Sequence, residues 1–255
     1  EIILSKVLNK KREKLLVSLD KKIISKKISE FYSLIHRRAL REPIAYIFNE
    51  KEFWSKKFEV TKDTLIPRPE TELMVEKLIK IYQDKNISIL DLGTGSGCIL
   101  ISLLSDLRKS KGVGIDISEK ALIIAHKNAK IHKVKNRIKF FKICLEDFNI
   151  RNFDLIVSNP PYIKSRTIKN LDEDIKKFEP KIALDGGNDG LDLIKKVIYK
   201  ARVILKKNGL LAIEFGNEQK KQVSKILIKN NFRIEHNIRD FEDNTRCFIS
   251  RLISY

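Results

Sequence analysis

Ile87-Ser88-Ile89-Leu90-Asp91-Leu92-Gly93-Thr94-Gly95-Ser96-Gly97 is the stretch that decides the fold. Its first six residues form a short apolar run, which reads as a buried strand. The next five place glycine at every second position, where the backbone can turn sharply and approach a ligand closely. Ile99, Leu100, Leu103 and Leu104 then follow at helical spacing. A strand that passes through a glycine turn into a helix opens a doubly wound α/β sheet. On its own the turn is a weak signal, because a purely structural strand-to-helix connection also favours glycine.

Downstream, short apolar runs recur at 112–115, 138–143, 153–157, 210–215, 232–235 and 247–252, with helical patterns between most of them. Together with 87–92 they predict a Rossmann-like, doubly wound, mostly parallel seven-stranded α/β sheet built on crossover connections. Ligands of such sheets bind outside the carboxyl ends of the strands, where the strand order reverses. Motifs at strand ends therefore carry most weight.

Upstream, residues 67–72 read Pro67-Arg68-Pro69-Glu70-Thr71-Glu72, with prolines and carboxylates just ahead of Leu73, Val75, Leu78 and Ile79. That is how a helix begins. Residues 44–66 carry Phe53-Trp54, Phe58, Val60 and Ile66 separated by polar pairs, which predicts a hairpin linker. Before it, Leu4, Leu8, Leu15, Leu16, Leu19, Ile24, Ile28, Phe31, Leu34 and Ile35 fall at helical spacing without a glycine, and the pattern stops near Pro43. The expected organisation is a small helical domain over 1–43, the hairpin over 44–66 with Trp54 packed between domains, and the sheet domain over 67–255.

The 255 residues, 42% hydrophobic and 33% charged, suit one full-sized domain with a smaller companion. No apolar run approaches the roughly 20 residues of a membrane-spanning helix, so no membrane partner is expected. Glu1 stands where an initiator Met would, and lysines soon interrupt the first apolar positions, unlike a signal peptide. A cytoplasmic chain, trimmed at its N-terminus, is the expectation. Cys98, Cys144 and Cys247 are odd in number and widely spaced, which fits reduced thiols rather than disulfides or zinc. His36, His126, His132 and His236 lack metal-ligand spacing, so no metal is expected.

Fifty-two Lys plus Arg against 33 Asp plus Glu give a formal charge of +19. This balance suits either contact with nucleic acid or the ribosome, or a Lys- and Ile-rich composition with no binding role, since the basic residues are spread along the chain.

Gly112-Val113-Gly114-Ile115 ends on Asp116, where a carboxylate can accept both hydroxyls of an adenosine ribose. Nicotinamide enzymes place an acid there too, but their loop reads Gly-x-Gly-x-x-Gly and faces a pyrophosphate. Here the spacing is Gly-x-Gly-x-Gly. In this the sequence resembles class I S-adenosylmethionine-dependent methyltransferases, whose loop cradles the amino-acid part of a ligand without phosphate. The resemblance implies cofactor contacts from Gly93, Thr94, Gly95, Ser96, Gly97 and Asp116. A cap for a helix over 118–128 is the structural alternative for Asp116. After the third strand, Cys144-Leu145-Glu146-Asp147-Phe148 occupies the adenine side, with Leu145 the chosen ring contact and Asp147 an alternative partner.

The fourth strand delivers Ser158-Asn159-Pro160-Pro161-Tyr162 to the carboxyl edge. Paired prolines fix φ and lack N–H donors, so carbonyl groups can point outward as acceptors. The Asn159 side-chain oxygen and the Pro160 carbonyl are the candidate catalytic acceptors for the two N–H bonds of an amide or amino group. Tyr162 is expected to lie flat on that planar group. Asn159 to Tyr162 thus form the expected substrate site, with Asn159 also touching the cofactor.

This tetrapeptide is shared by methyltransferases of adenine N6, guanine N2 and a protein glutamine. Leu65-Ile66-Pro67-Arg68-Pro69-Glu70-Thr71-Glu72, the glycine loop, Val157 to Ile163, Glu179-Pro180 with Ala183-Leu184, and Gly187-x-Asp189-Gly190-Leu191 together resemble the release factor glutamine methyltransferase family (PrmC/HemK) over residues 42–255. The resemblance implies methylation of the glutamine in the Gly-Gly-Gln tip of peptide chain release factors, S-adenosylmethionine as donor, S-adenosylhomocysteine as product, and a helical domain that grips the factor. Arg68 is expected either to steer a carboxylate or to act structurally, and Glu214 and Gln219 to be architectural. The rival functions are a nucleic-acid amino-methyltransferase and a non-catalytic binding module.

Overall fold

A computed structural model describes residues 1–17 and 22–253. Leu19, one of the apolar positions read as helical, lies outside the described residues, as does the end of the sheet domain at 254–255.

The chain starts with α1 (Ile2–Leu8), α2 (Arg12–Leu16) and α3 (Ser25–Ala39). α1 buries Ile3 and Val7, while α3 buries no side chain fully. The chain then bends at Arg41 (φ 74°) and, after Pro43, makes the single turn α4 (Ile44–Ile47). β1 (Glu50–Phe53) and β2 (Lys56–Glu59) form the expected hairpin, turning at Trp54 and Ser55 in the left-handed region.

From residue 69 the order is α5 (Pro69–Tyr82), β3 (Ser88–Leu92), α6 (Cys98–Asp106), β4 (Lys111–Asp116), α7 (Glu119–Ile131), β5 (Ile138–Lys142), β6 (Phe153–Ser158), α8 (Glu173–Phe178), α9 (Asp192–Ile204), β7 (Leu205–Glu214), α10 (Lys220–Lys229), β8 (Phe232–Arg239) and β9 (Thr245–Leu252). α5 starts as its sequence requires, with Pro69 in its first turn, where the N–H would have no partner, and Glu70 and Glu72 against the positive end of the helix.

The seven strands lie in the order β5-β4-β3-β6-β7-β9-β8. β3 to β7 are mutually parallel, and β9 runs antiparallel to both β7 and β8. Alternate strand residues go to opposite faces. Ile89, Leu155 and Val157 meet α5 and α6, whereas Leu90 and Ile156 meet α9 and α10. Order reverses between β3 and β6, so the crevice at their carboxyl ends is the expected ligand position.

The hairpin is built into the first of these cores. Phe53 and Phe58 are fully buried among Met74, Leu78, Leu100 and Leu103. Trp54 does not sit between the helical segment and the sheet. It packs on the same core, and its indole N–H donates to Asp106 at the end of α6 (2.6 Å).

Candidate active site

A cavity of about 340 Å³ opens at the carboxyl ends of β3, β4 and β6, large enough for a cofactor-sized molecule. Of the residues singled out in the sequence, Gly93, Thr94, Gly95, Ser96, Asp116, Leu145, Asn159, Pro160 and Pro161 line it. Gly97 sits below the wall as N-cap of α6, and Asp147 is not on the wall.

The glycine loop is held from behind. The N–H groups of Gly93 and Thr94 both donate to the Ile115 carbonyl (3.0 and 2.9 Å), and Thr94 Oγ1 donates to Asp91 Oδ2 (2.7 Å). Gly95 has φ 55°, and a Cβ built there would meet no protein atom within 4 Å, so its bare face is turned to open space. Asp116 secures the loop from the side. Its Oδ2 accepts from Gly95 N–H and its Oδ1 from Ser118 N–H, each at 2.9 Å. Ser118, rather than Asp116, caps α7 by accepting from Ala121 N–H (3.2 Å). Burial pushes the Asp116 carboxyl above its ordinary range, and the N–H bonds from Ser118 and Gly95 oppose this. Asp91, almost completely buried beneath the loop, is pushed up to about 7 by burial, and its Oδ1 has no hydrogen-bond partner. Two carboxylates around a bare backbone suit a ligand with cationic centres.

The tetrapeptide is rigidly bedded. Ile163 N–H donates to the Leu184 carbonyl (3.0 Å), and Gly186 N–H donates to the Ile163 carbonyl (2.8 Å). A Cβ on Gly186 would lie 2.7 Å from Tyr162 Cα and 2.8 Å from the Pro161 oxygen, and one on Gly190 would lie 2.4 Å from the Tyr162 oxygen. Gln219 Nε2 donates to the carbonyls of Tyr162 and Gly190 (3.0 Å each), while its Oε1 accepts from Gly216 N–H (2.8 Å).

Tyr162 departs from the expected flat stacking. It does not line the cavity, and its hydroxyl points to the buried Glu214, 3.4 Å away, which also accepts from Thr71 Oγ1 (2.7 Å). Desolvation of that carboxylate makes donors valuable around it, and this draws the ring inward. Burial also raises Glu214 to about 7 and shifts the Tyr162 hydroxyl upward. Among the described residues the Asn159 carboxamide has no hydrogen-bond partner, which leaves it available on the wall.

Several wall or support residues were not singled out as site residues in the sequence reading. Ile117 and Ile182 stand on the rim with apolar side chains 47% and 60% exposed, and Lys196 pairs with Glu146 across it (2.7 Å). Asn128, fully buried in α7, accepts from Glu59 N–H (2.7 Å) and donates to the carbonyls of Glu59 (3.0 Å) and Ser96 (2.9 Å). It thereby ties the hairpin to the glycine loop. A regular helix pattern gives no sign of such a residue beyond a polar side chain on its apolar face.

Arg68 lines the cavity and is also tied to the protein, so both of its alternatives stand. One guanidinium nitrogen lies 2.7 and 2.8 Å from the oxygens of the buried Glu179. No three His, Cys, Asp or Glu side chains come together as a metal site among the described residues. Cys98, Cys144 and Cys247 are free thiols. Among the described residues no helix is long and apolar enough to cross a membrane.

The glycine loop, the strand-end acid and the reversed strand order suit a methyltransferase, and the sequence profile described as "Methyltransferase domain" matches residues 83–246. Solved structures agree at the level of fold. A methyltransferase from Pyrococcus furiosus superposes with TM-score 0.58 at 15% identity, covering 89% of this chain and all of that one. The ribosomal protein L11 methylase of Lactobacillus delbrueckii subsp. bulgaricus gives 0.53 at 19% identity, covering 74% and 79%. The "PrmC N-terminal domain" profile matches residues 1–48. A release factor glutamine methyltransferase of Buchnera aphidicola subsp. Acyrthosiphon pisum is 40% identical over 98% of this chain and 90% of its own. Another, from Fusobacterium nucleatum, is 38% identical over 98% of this chain and 72% of its own. The chain belongs to the release factor glutamine methyltransferase family.

Proposed function

We propose that this chain transfers a methyl group from S-adenosylmethionine to the side-chain nitrogen N5 of the glutamine in the Gly-Gly-Gln tip of peptide chain release factors, leaving S-adenosylhomocysteine. The observation that carries the reading is the unpartnered Asn159 carboxamide, set on the same cavity wall as the glycine loop and Asp116.

The cofactor, when bound, supplies a methyl group on a positively charged sulfur. Gly93 to Ser96 would receive its amino-acid end, Asp116 its ribose hydroxyls, and Leu145 its adenine face. A glutamine amide is a poor nucleophile because its nitrogen lone pair is delocalised into the carbonyl. The Asn159 Oδ1 and the Pro160 carbonyl would accept its two N–H bonds, holding the nitrogen toward the methyl carbon and favouring the localised lone pair. The bound cofactor would supply the methyl group and leave as a neutral thioether, and the glutamine nitrogen held by these two acceptors would give up one proton to solvent. Pro161 stiffens this pair of acceptors, and Tyr162 positions them from behind the wall through Glu214 and Gln219.

The test is a competition. Labelled S-adenosylmethionine is offered to the chain with a purified release factor, DNA and ribosomal RNA in one mixture. Label on the release factor glutamine is the expected result, and label on nucleic acid with an untouched factor overturns the reading.

A further inference from the structure

The turn between β8 and β9, Asp240-Phe241-Glu242-Asp243-Asn244, has no part in the site described above. Phe241 is 83% exposed. A single apolar side chain in water is common on protein surfaces and by itself signals nothing. Three further observations single this one out.

The turn is held in one shape. Asp240 Oδ1 accepts from the N–H groups of Glu242 and Asn244, both at 2.9 Å, and its Oδ2 accepts from Arg246 Nε (2.7 Å). Asp240 N–H donates to the Asn244 carbonyl (2.9 Å), and Arg239 clasps Asp243 at 2.7 and 2.8 Å. The ring is therefore presented from a stiff base, which lowers the ordering cost of any contact it makes.

The turn also projects at the working edge of the sheet. Cys247 pairs with Glu214 at the carboxyl end of β7, and Phe215 N–H donates to the Arg246 carbonyl (2.9 Å). The residues before Arg246 thus run on past the strand end that carries Glu214, the partner of Tyr162. Arg246, at the base of the turn, lies within electrostatic reach of Tyr162 and of Glu70 in the first turn of α5.

Finally, the turn opposes the charge of its chain. Asp240 and Asp243 are held by Arg246 and Arg239, so the turn nets a single negative charge, carried by Glu242, in a protein that is +19 overall, and Glu70 and Glu72 stand at the N-terminus of α5. Such a rim repels phosphates and attracts a cationic polypeptide.

We propose that the Phe241 turn is a docking prong for the protein substrate, on which a positively charged segment flanking the methylated glutamine rests with a cationic side chain over the ring and beside Glu242. This rests on the proposed function and adds the surface that would hold the polypeptide outside the cavity.

The test uses the full chain and purified release factor, with S-adenosylmethionine for turnover and S-adenosylhomocysteine for binding. Phe241→Ala is expected to raise KM for the factor by about two- to fivefold, the range of an exposed cation–π contact. Phe241→Lys should raise it further by repulsion, and Phe241→Trp should keep it near the parent value. In all three, S-adenosylhomocysteine affinity and kcat at saturation should stay within about twofold. A parent KM for both Phe241→Ala and Phe241→Lys overturns the prong, as does a fall in kcat with KM unchanged. A parent chain that never labels the release factor is a different outcome and removes the proposed function itself.

Discussion

An acceptor pair that localises an amide lone pair acts mainly in the transition state, because the ground-state amide is already planar and content. Asn159→Ala is therefore expected to lower kcat by about 100-fold or more, as loss of one preorganised polar group does elsewhere, with S-adenosylhomocysteine binding retained by calorimetry. Glu214 and Asp91 give a second expectation. Both are carboxylates that burial raises to about 7. The folded chain keeps their protons in a range where the unfolded chain has released them, so the stability they contribute is full below the ordinary carboxylate range and is lost as pH rises toward 7. Each can add a slope of at most about 1.4 kcal/mol per pH unit. Glu214→Gln keeps an acceptor for Thr71 and Tyr162 but cannot ionise, so its stability relative to the parent should rise between pH 5 and about 7 and then level off in denaturant titrations. A difference independent of pH would contradict this. The glycine loop, Asp116 and Asn159 were legible in the sequence because each answers a local demand at a strand end. Glu214 and Gln219 were expected to be architectural, but their link to the tetrapeptide, like that of Gly186, was not legible. They reach the tetrapeptide from 52, 57 and about 24 residues away through side-chain or steric contacts that no spacing rule encodes.

Among the elements, the β1–β2 hairpin gained most from the structure. Aromatic and β-branched residues between polar pairs predict a hairpin, and one is present. What the pattern hides is its attachment, since Phe53 and Phe58 face the sheet core and Asn128 pins β2 to the loop after β3. Phe58→Ala should cost about 3–5 kcal/mol, the usual range for a buried aromatic, measured by chemical denaturation. A linker loose from the core would lose less than about 0.5 kcal/mol, as exposed sites do. The strand boundaries divide in the same way. β3 and β6 matched their apolar runs closely because both faces are covered. β7 begins at Leu205, five residues before its apolar run, with Lys206 to Asn208 exposed and a register shift against β6. β8 continues to Arg239 because an edge strand needs apolar residues on one face only, and its polar half reads as loop.

At the scale of the whole molecule, the net charge of +19 leaves many basic groups without an acidic counterpart, however completely the 33 carboxylates are paired. Two effects of salt then compete. Added ions weaken the exposed pairs, such as Lys142 with Glu119 (2.8 Å) and Lys127 with Glu59 (2.7 Å), but each such pair contributes only about 0–1 kcal/mol. Added ions also screen repulsion among the excess positive charges, which acts over about 30 Å at 0.01 M salt and about 8 Å at 0.15 M. The repulsion is long-ranged and sums over the molecule, whereas the pairs are local and individually weak, so screening should win. The melting temperature is expected to rise when sodium chloride is taken from 0.01 to 0.15 M, and a fall would show that pairing dominates. The same excess charge should let the chain hold DNA or RNA at low salt. That binding should disappear over the same interval, because it rests on released counterions, while release factor methylation, guided by the cavity, should persist. A filter-binding titration run beside the methylation assay separates the two, and methyl transfer that falls in step with nucleic-acid release would mean that the basic surface belongs to the reaction.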